Sequence, residues 1–170
     1  MNEDNKDFKQ KVSAYMKDWV VVAKKHWWIM LVELAVVAII LVADLLTKQA
    51  AWDYLNTQGV KDDFIPGLIN LVMVENRGAG FGIFQGKTVA LTVITFILVI
   101  AITIYLFFAL KETEWLRISL VFVAGGGIGN IVDRIALGYV RDFLQFAFWE
   151  QFPVFNIADS FVTVGAFMLL

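Results

Sequence analysis

The chain of 170 residues contains no cysteine, and this absence removes three kinds of chemistry at once. It excludes disulfide bonds, thiolate nucleophiles and metal sites built on cysteine. A single histidine, His26, stands beside Trp27 and Trp28 at the start of the first apolar run, where an interfacial position explains it. Without a second histidine the sequence builds neither a Ser-His-Asp triad elsewhere in the chain nor a zinc site of several histidines.

Charged residues are also scarce, at 18% of the chain with a net charge of −2, whereas 59% of the residues are hydrophobic. The small net charge gives no basic field, so nucleic acid is not an expected partner. A soluble domain of this length has no core large enough to hide so much apolar surface. We therefore expect the bilayer to cover part of it.

Four apolar runs predict four transmembrane helices, at about residues 27–46, 88–110, 116–132 and 155–170. A helix of about 20 residues crosses the hydrocarbon core, and the last run is short by that measure. Glu33, inside the first run, is expected to face other helices or to snorkel toward the interface. The β-prone residues 68–74 interrupt the loop at residues 47–87. The predicted fold is a mainly α membrane protein of four transmembrane helices with a small extracytoplasmic β-containing surface region.

The distribution of lysine and arginine predicts the orientation of these helices. Residues 1–25 carry six lysines in a short stretch, whereas the loop at residues 47–87 spreads its cations among acidic residues. By the positive-inside rule both termini are cytoplasmic, and the loops at residues 47–87 and 133–154 share the outer face. Residues 1–25 are expected to be an exposed, amphipathic cytoplasmic segment rather than a removable signal peptide.

Four aspartates lie at or inside the ends of the apolar runs: Asp44, Asp133, Asp142 and Asp159. A charged side chain at a helix centre in a membrane costs about 2.5–3.5 kcal/mol on insertion scales, so such residues usually have a function. Asp44 is four residues before Lys48, which predicts an ion pair on one helix face. A simple anchor at the helix end is the alternative interpretation of this pair.

A glycine-rich stretch at residues 125–129 leads into Asn130, Asp133 and Arg134. These glycines lie inside an apolar span, so they predict close helix packing rather than a phosphate-binding loop. The spacing places the three polar residues on one helix face. We expect Arg134 to keep Asp133 ionised and paired, which suits Asp133 to scaffolding rather than to proton transfer.

Asp142 and Asp159 have different surroundings. Asp142 stands in an extended stretch crowded by aromatic residues, in which alternation points Arg141 the other way. Asp159 opens the last apolar run, three residues after Asn156, and Ala158 leaves room beside it. Two acids that share a site titrate apart, so one can act as a base toward water while the other donates a proton to a carbonyl oxygen. This chemistry needs no cofactor and no metal.

Two other groups of polar residues lie on the expected outer side. Residues 75–82 form a turn, or they supply hydrogen-bond donors to a substrate backbone. A dyad of Ser160 and Lys48 is conceivable, but it has no supporting motif, and Ser160 is turned about 100° away from Asp159 on a helix.

Five motifs together resemble those of the lipoprotein signal peptidase (signal peptidase II) family. The matching segments are residues 44–48 (D-x-x-T-K), 76–82 (N-x-G-A-x-F-G), 125–134 (G-G-x-x-G-N-x-x-D-R), 138–143 (G-x-V-x-D-F) and 155–159 (F-N-x-A-D). They occur in the family's order and cover nearly the whole chain from Asp44 onward. The chain departs from the family at Gly80, where alanine is common, and in its longer N-terminal segment.

The resemblance implies an aspartic endopeptidase of the bacterial inner membrane that cuts a signal peptide just before a diacylglyceryl-modified cysteine. On matching positions Asp142 and Asp159 would be catalytic, with Asp133 as the fallback partner. The supporting or substrate-binding positions would be Asn76, Asn130, Asp133, Arg134, Asn156, Ala158, Asp44 and Lys48. The implied partners are lipid-modified prolipoproteins, membrane lipid and inhibitors of the globomycin type. Residues 26–170 would form the four-span protease domain.

Two other classes of function remain open at this stage. In the second hypothesis the protein is a small transporter, and the acids form a proton or cation relay. The sequence, however, has no paired repeats of the kind that transporters often show. A lipid-binding assembly factor without catalysis is the third hypothesis. For the protease, a substrate carrying its own apolar helix is expected to enter from the bilayer, with residues 143–149 closing over it.

Overall fold

The computed structural model describes residues 3–80 and 83–170, so Phe81 and Gly82 of the predicted loop motif lie outside the described residues. The described chain contains helices α1 (Glu3–Gln58), α2 (Thr88–Phe108), α3 (Glu114–Leu137) and α4 (Ile157–Met168), and strands β1 (Lys61–Ile65), β2 (Ile69–Asn76) and β3 (Val140–Phe146). Helices α1, α2 and α3 are long and apolar enough to cross a membrane, whereas α4 is an apolar helix of 12 residues. The predicted class, a mainly helical membrane protein with a small sheet, is confirmed.

Helix α3 is the centre of the helical bundle, because it contacts α1, α2 and α4. Val121 and Ala124 of α3 form a buried cluster with Ile102 and Leu106 of α2. The outward side chains of α1 and α2 are largely apolar and exposed, as expected where lipid replaces a protein neighbour.

The glycines of α3 allow neighbouring helices to approach closely, as the sequence predicts. A Cβ at Gly125 would lie 3.0 Å from the Cδ1 atom of Ile40 on α1, and a Cβ at Gly126 would clash with the backbone carbonyl of Ala158 on α4. The stretch is continuous helix, so it forms no phosphate-binding loop.

The end of α1 differs from the prediction. A loop was expected to begin at residue 47, but α1 continues for about three more turns. One face of this extension carries Ala51 and Leu55, which are buried against Leu71 of β2 and Phe143 of β3. The polar residues around Ala51 and Leu55 hid this face in the sequence.

The three strands form an antiparallel sheet in the order β1-β2-β3. Asn76, at the end of β2, pairs with Val140, at the start of β3. Gly138 ends α3 with a φ of 81°, a left-handed conformation that glycine adopts readily, and the chain turns into β3. Leu144 bridges to Phe155, so the segment that enters α4 runs beside β3. This bridge brings the two aspartate motifs at residues 142 and 159 into the same region.

The other end of the bundle holds a buried ion pair. Arg117 of α3 donates from Nε and Nη2 to the two carboxylate oxygens of Glu33, both at 2.8 Å. Its Nη1 and Nη2 atoms also donate to the carbonyls of Ala109 and Leu106 near the end of α2. Glu33 therefore faces a neighbouring helix, one of the two outcomes the sequence predicts.

Candidate active site

Asn156 connects the two candidate catalytic aspartates. Its Nδ2 atom donates to Oδ1 of Asp142 at 2.7 Å, and its backbone N–H donates to Oδ2 of Asp159 at 3.2 Å. Its Oδ1 atom accepts the backbone N–H of Asp159 at 2.8 Å. Asn156 and Asp159 therefore form a capping box at the start of α4. Asn156 is thus the N-cap of α4, one position outside the helix.

Asp142 is held on β3 with its side chain turned inward. Asn76 donates from Nδ2 to its Oδ2 at 2.8 Å, and the backbone N–H of Gly78 donates to Oδ1 of the same amide, which fixes the orientation of Asn76. The aspartate is only 1% exposed. Burial raises the pKa of Asp142 to about 7, and the charge of Asp159 acts in the same direction.

Asp159 receives a further hydrogen bond from α3. Asn130 donates from Nδ2 to Oδ1 of Asp159 at 2.7 Å. The Oδ1 atom of Asn130 accepts from Asn156 Nδ2 and from Lys48 Nζ, both at 3.1 Å. The side-chain amides of Asn130 and Asn156 therefore each form hydrogen bonds through both their oxygen and their nitrogen. Each carboxylate accepts hydrogen bonds from two residues. Such an arrangement holds both acids in fixed positions.

Behind the aspartate pair lies a buried, charge-balanced cluster. Lys48 is fully buried and lies 2.7 Å from Asp44 Oδ2 and 3.4 Å from Asp133 Oδ2. Arg141 donates to Asp133 from Nη2 at 2.8 Å and from its backbone N–H at 3.0 Å. Two acids and two cations therefore neutralise one another, which limits the cost of burying them. The predicted ion pair of Asp44 and Lys48 is confirmed, as is the opposite direction of Arg141 and Asp142 on β3.

The expected pairing of Asp133 with Arg134 is wrong. Consecutive residues on a helix point about 100° apart, and Asp133 turns to Arg141 and Lys48 instead. Arg134 donates from Nη2 to the carbonyl of Gly78 at 3.2 Å, and its buried Nε has no hydrogen-bond partner among the described residues. It lines a cavity beside Asp159.

Ala158 has a different role from the one predicted. It was expected to leave room beside the acid, but it is fully buried where α4 meets α3 and α1. Its backbone N–H donates to Oδ1 of Asp44 at 2.9 Å. Its Cβ would lie 3.2 Å from a Cβ added at Gly129, which would also lie 2.5 Å from Asp44 Oδ2. Small residues at both positions let the helices carrying the acids approach this closely.

A cavity of about 490 Å³ is lined by Asp159 and by Asn76, the hydrogen-bond partner of Asp142, whereas Asp142 itself does not line it. Its polar wall consists of Asn76, Asn130, Arg134 and Asp159, and its remaining wall is mostly apolar, with Phe146, Phe152, Phe155, Val162 and Val164 among its members. A peptide flanked by lipid or by an apolar helix matches this division.

The alternative dyad of Ser160 and Lys48 does not form, because both side chains are bonded to other groups. Ser160 donates its hydroxyl to the carbonyl of Asn156 at 3.0 Å, and the ammonium of Lys48 is engaged by Asp44, Asp133 and Asn130. Among residues 3–80 and 83–170 no group of three His, Cys, Asp or Glu side chains is placed to hold a metal ion.

The sequence did not predict the role of Arg141. Of the aromatic residues in the cavity wall, Phe146 lies in the stretch that was expected to close over a substrate, whereas the part played by Phe152 and Phe155 was not predicted. The contact of Arg141 with Asp133 joins residues eight apart across the turn at Gly138, and no helical or strand period indicates it. The ring of Phe146 lies 5.0 Å from that of Phe155 and 5.3 Å from that of Phe152. The density of aromatic residues after residue 142 was the available signal.

The sequence matches one family model and several known relatives. The family model described as signal peptidase (SPase) II matches residues 36–170. The lipoprotein signal peptidase of Caldanaerobacter subterraneus subsp. tengcongensis is 43% identical over 136 residues, which cover 80% of this chain and 91% of that protein. That of Enterococcus faecalis is 39% identical over 130 residues, covering 74% and 80%.

Two solved structures, both described as bacterial membrane enzymes, have a similar fold. One aligns with a TM-score of 0.69 and 29% identity over 81% of this chain and 84% of that chain. The other aligns with a TM-score of 0.67 at the same identity, over 81% and 89%.

Proposed function

The chain belongs to the signal peptidase II family. We propose that it removes the signal peptide from diacylglyceryl-modified prolipoproteins, with Asp142 and Asp159 as the catalytic pair. The observation that carries the proposal is the connection of these two carboxylates by Asn156 beside a cavity with one polar and one apolar wall. The bond to be cut is the peptide bond just before the lipid-modified cysteine.

In the proposed reaction one proton is shared by the two acids. The ionised carboxylate takes a proton from a water molecule, whose oxygen attacks the scissile carbonyl carbon. The protonated acid donates its proton to the carbonyl oxygen, which gives a neutral tetrahedral intermediate. Collapse of this intermediate breaks the C–N bond. The acid that took the proton from water gives it to the leaving nitrogen, and a hydroxyl of the intermediate returns a proton to the other acid, so the pair again holds one proton. No metal or cofactor enters these steps.

The other polar residues act by positioning. Asn76, Asn130 and Asn156 hold the two acids through the hydrogen bonds given above. Arg134 lies at the cavity wall, and its Nε has no partner in the described parts of the chain, a position suited to a substrate carbonyl. The buried cluster of Asp44, Lys48, Asp133 and Arg141, together with Ala158, fixes α1, α3, β3 and α4 relative to one another.

The substrate carries its own apolar helix and lipid, so it enters sideways from the bilayer along the apolar wall of the cavity. Phe148 and Trp149 are exposed at 65% and 50%, next to the rings that form that wall. They are the candidate lid. Replacing both by serine should raise KM for the lipidated substrate, and unchanged kinetics would remove the lid from the proposal.

The proposed orientation places both termini in the cytoplasm and the site near the outer face of the inner membrane. The excess of lysine in residues 1–25 supports it by the positive-inside rule. Residues 26–170 then form the membrane protease domain, and residues 1–25 a cytoplasmic segment. A cyclic peptide inhibitor of the globomycin type would occupy the same cavity.

Single Asp→Asn variants test the catalytic pair. Asp142→Asn and Asp159→Asn should each lower turnover of a lipid-modified prolipoprotein by about a hundredfold or more, because general acid–base catalysis contributes that much. Asp62→Asn, at an exposed position on β1, is the matched control and should keep full activity. Thermal melts establish that each variant is folded. Retained turnover in a folded Asp142→Asn protein would contradict the assignment, and loss only in Asp133→Asn would move the pair.

A further inference from the structure

The segment of α1 before His26 carries an apolar stripe that the peptidase site does not use. The members of this stripe are Phe8, Val12, Tyr15, Trp19 and Val22, spaced four, three, four and three residues apart. This spacing places all of them on one face of a helix. The segment precedes residues 36–170, the part of the chain that matches the family.

Contacts with α2 fix the level of this stripe in the molecule. The hydroxyl of Tyr15 donates to the carbonyl of Phe108 at 3.1 Å, and Nε1 of Trp19 donates to the carbonyl of Phe107 at 3.0 Å. These carbonyls are among the last of α2, where a membrane-spanning helix leaves the hydrocarbon region. The helix changes direction at His26, with φ of −120° and ψ of 17°. The stripe therefore lies across the end of α2, at the membrane surface, on the side away from the aspartate pair.

The first half of the stripe extends beyond this contact. Phe8 is 66% exposed and Val12 is 44% exposed, and within the described residues no other element covers them. They lie on the same helix face as Tyr15 and Trp19, so they are directed to the same side as the end of the bundle. A bilayer that surrounds α2 occupies this side.

The free charges of the segment are positive. Its two described acids, Asp7 and Asp18, are each paired at 2.6 Å, with Lys11 and Lys111 respectively. Within the described residues no ion pair engages a further set of four exposed lysines: Lys9, Lys17, Lys24 and Lys25. Lys17 and Lys24 lie on the face opposite the stripe, and Lys9 lies at its flank, where a long side chain reaches headgroups.

We propose that residues 5–25 are an interfacial anchor that lies on an anionic lipid surface, with the apolar stripe in the headgroup boundary and the free lysines held near the surface by the negative potential of the acidic headgroups. An apolar face combined with a lysine-rich opposite face is the composition of helices that lie in the plane of a membrane. Each lysine near an anionic surface strengthens such binding about fivefold, and salt weakens it. The anchor is separate from the peptidase activity and does not depend on it.

The absence of cysteine allows a direct test on the whole protein. A spin label is attached at Val12→Cys, in the stripe, or at Gln10→Cys, on the opposite face, in protein held in lipid nanodiscs. In discs containing phosphatidylglycerol, the label at position 12 should be accessible to oxygen and shielded from a water-soluble nickel chelate. The label at position 10 should behave in the opposite way. In discs of phosphatidylcholine alone, or after combined Lys9→Gln, Lys17→Gln and Lys24→Gln substitution, the shielding at position 12 should fall severalfold.

Three results would overturn the proposal. Equal exposure of both labels to the nickel chelate in anionic discs would show that the stripe is in water. Shielding at position 12 that is unchanged by lipid charge and by the lysine substitutions would exclude an anionic surface as the occupant. Dipolar coupling between position-12 labels on two copies in one disc would assign the stripe to self-association.

Discussion

At the scale of single residues, Asn156 combines two roles that can be separated by substitution. It caps α4 through its Oδ1 atom and donates through Nδ2 to Asp142 and Asn130. Asn156→Ser keeps a capping oxygen and loses the donor, whereas Asn156→Ala loses both. We expect both variants to lose activity, with the serine variant about 1 kcal/mol more stable, the usual worth of an N-cap. Equal stability of the two in thermal melts would contradict the capping role.

The raised pKa of Asp142 determines how kcat/KM should depend on pH. If the shared proton is required, kcat/KM falls as the pH rises through about 7, the pKa of Asp142. The hydrogen bond from Asn76 lowers this pKa, so Asn76→Ala should raise it and move the alkaline limb to higher pH. The measurement is the pH profile of kcat/KM for both proteins. A limb that stays in place, or moves to lower pH, would contradict the assignment.

The same shift affects stability. The unfolded chain releases the Asp142 proton near pH 4, whereas the folded protein keeps it until about pH 7. Between these values the folded state binds more protons, so its stability falls as the pH rises. Asp142→Asn removes this titration. The Tm of the variant relative to that of wild type should therefore increase from pH 5 to pH 8. A Tm difference that does not change with pH would contradict the raised pKa of Asp142.

Residue contacts were predictable from the sequence where they are local. The pair of Asp44 and Lys48 follows from helical spacing, and the opposite directions of Arg141 and Asp142 follow from strand alternation. The partner of Asp133 was not predictable, because it depends on where the chain re-enters the protein after α3. The role of Ala158 was missed for the same reason, since the approach of three helices is not a local property.

At the scale of elements, close packing of α3 and α4 holds the site together. A Cβ at Gly126 would clash with the carbonyl of Ala158, backbone that cannot easily move. Gly126→Ala should therefore cost about 1–3 kcal/mol, the range for overpacked cores, and lower activity with it. Gly80→Ala is the control for stability, because no atom of the described residues lies within 4 Å of a Cβ there. A Gly126→Ala protein as stable as the Gly80→Ala protein would show that the helices are not in contact as described.

The pair of Glu33 and Arg117 joins α1, α2 and α3 at the other end. Arg117→Gln leaves Glu33 without its buried partner and should cost about 3–5 kcal/mol. Arg77→Gln is the control, because its pair with Glu75 is exposed and contributes little. A double variant, Glu33→Gln with Arg117→Gln, should recover part of the loss, though not the bonds to Leu106 and Ala109. Melts of the four proteins decide this.

Elements were predictable where one physical rule dominates. Hydropathy predicted the apolar runs that lie in α1, α2 and α3, and β-propensity predicted the strand β2. The continuation of α1 beyond residue 46 was missed, because Ala51 and Leu55 are buried by a sheet formed later in the chain. Local pattern carries no information about such a neighbour.

At the scale of the whole molecule, the two ends of the bundle differ in kind. One end holds the sheet, the aspartate pair and the cavity, and the other holds the ion pair at Arg117 and the segment before His26. The division agrees with an enzyme that meets its substrate at one membrane surface and is anchored at the other. The family and the general fold could be recognised from five motifs in order, whereas the hydrogen-bond network that joins them required the structure.

The measurement that tests the central claim most directly is mass spectrometry of the products made by purified protein. A lipid-modified prolipoprotein and the same precursor without lipid are incubated with wild type, Asp142→Asn, Asp159→Asn and Asp62→Asn. We expect wild type and Asp62→Asn to release the signal peptide just before the lipidated cysteine, and the other two variants to release none while remaining folded. Cleavage elsewhere, equal cleavage of the unlipidated precursor, or product from a folded Asp159→Asn protein would contradict it.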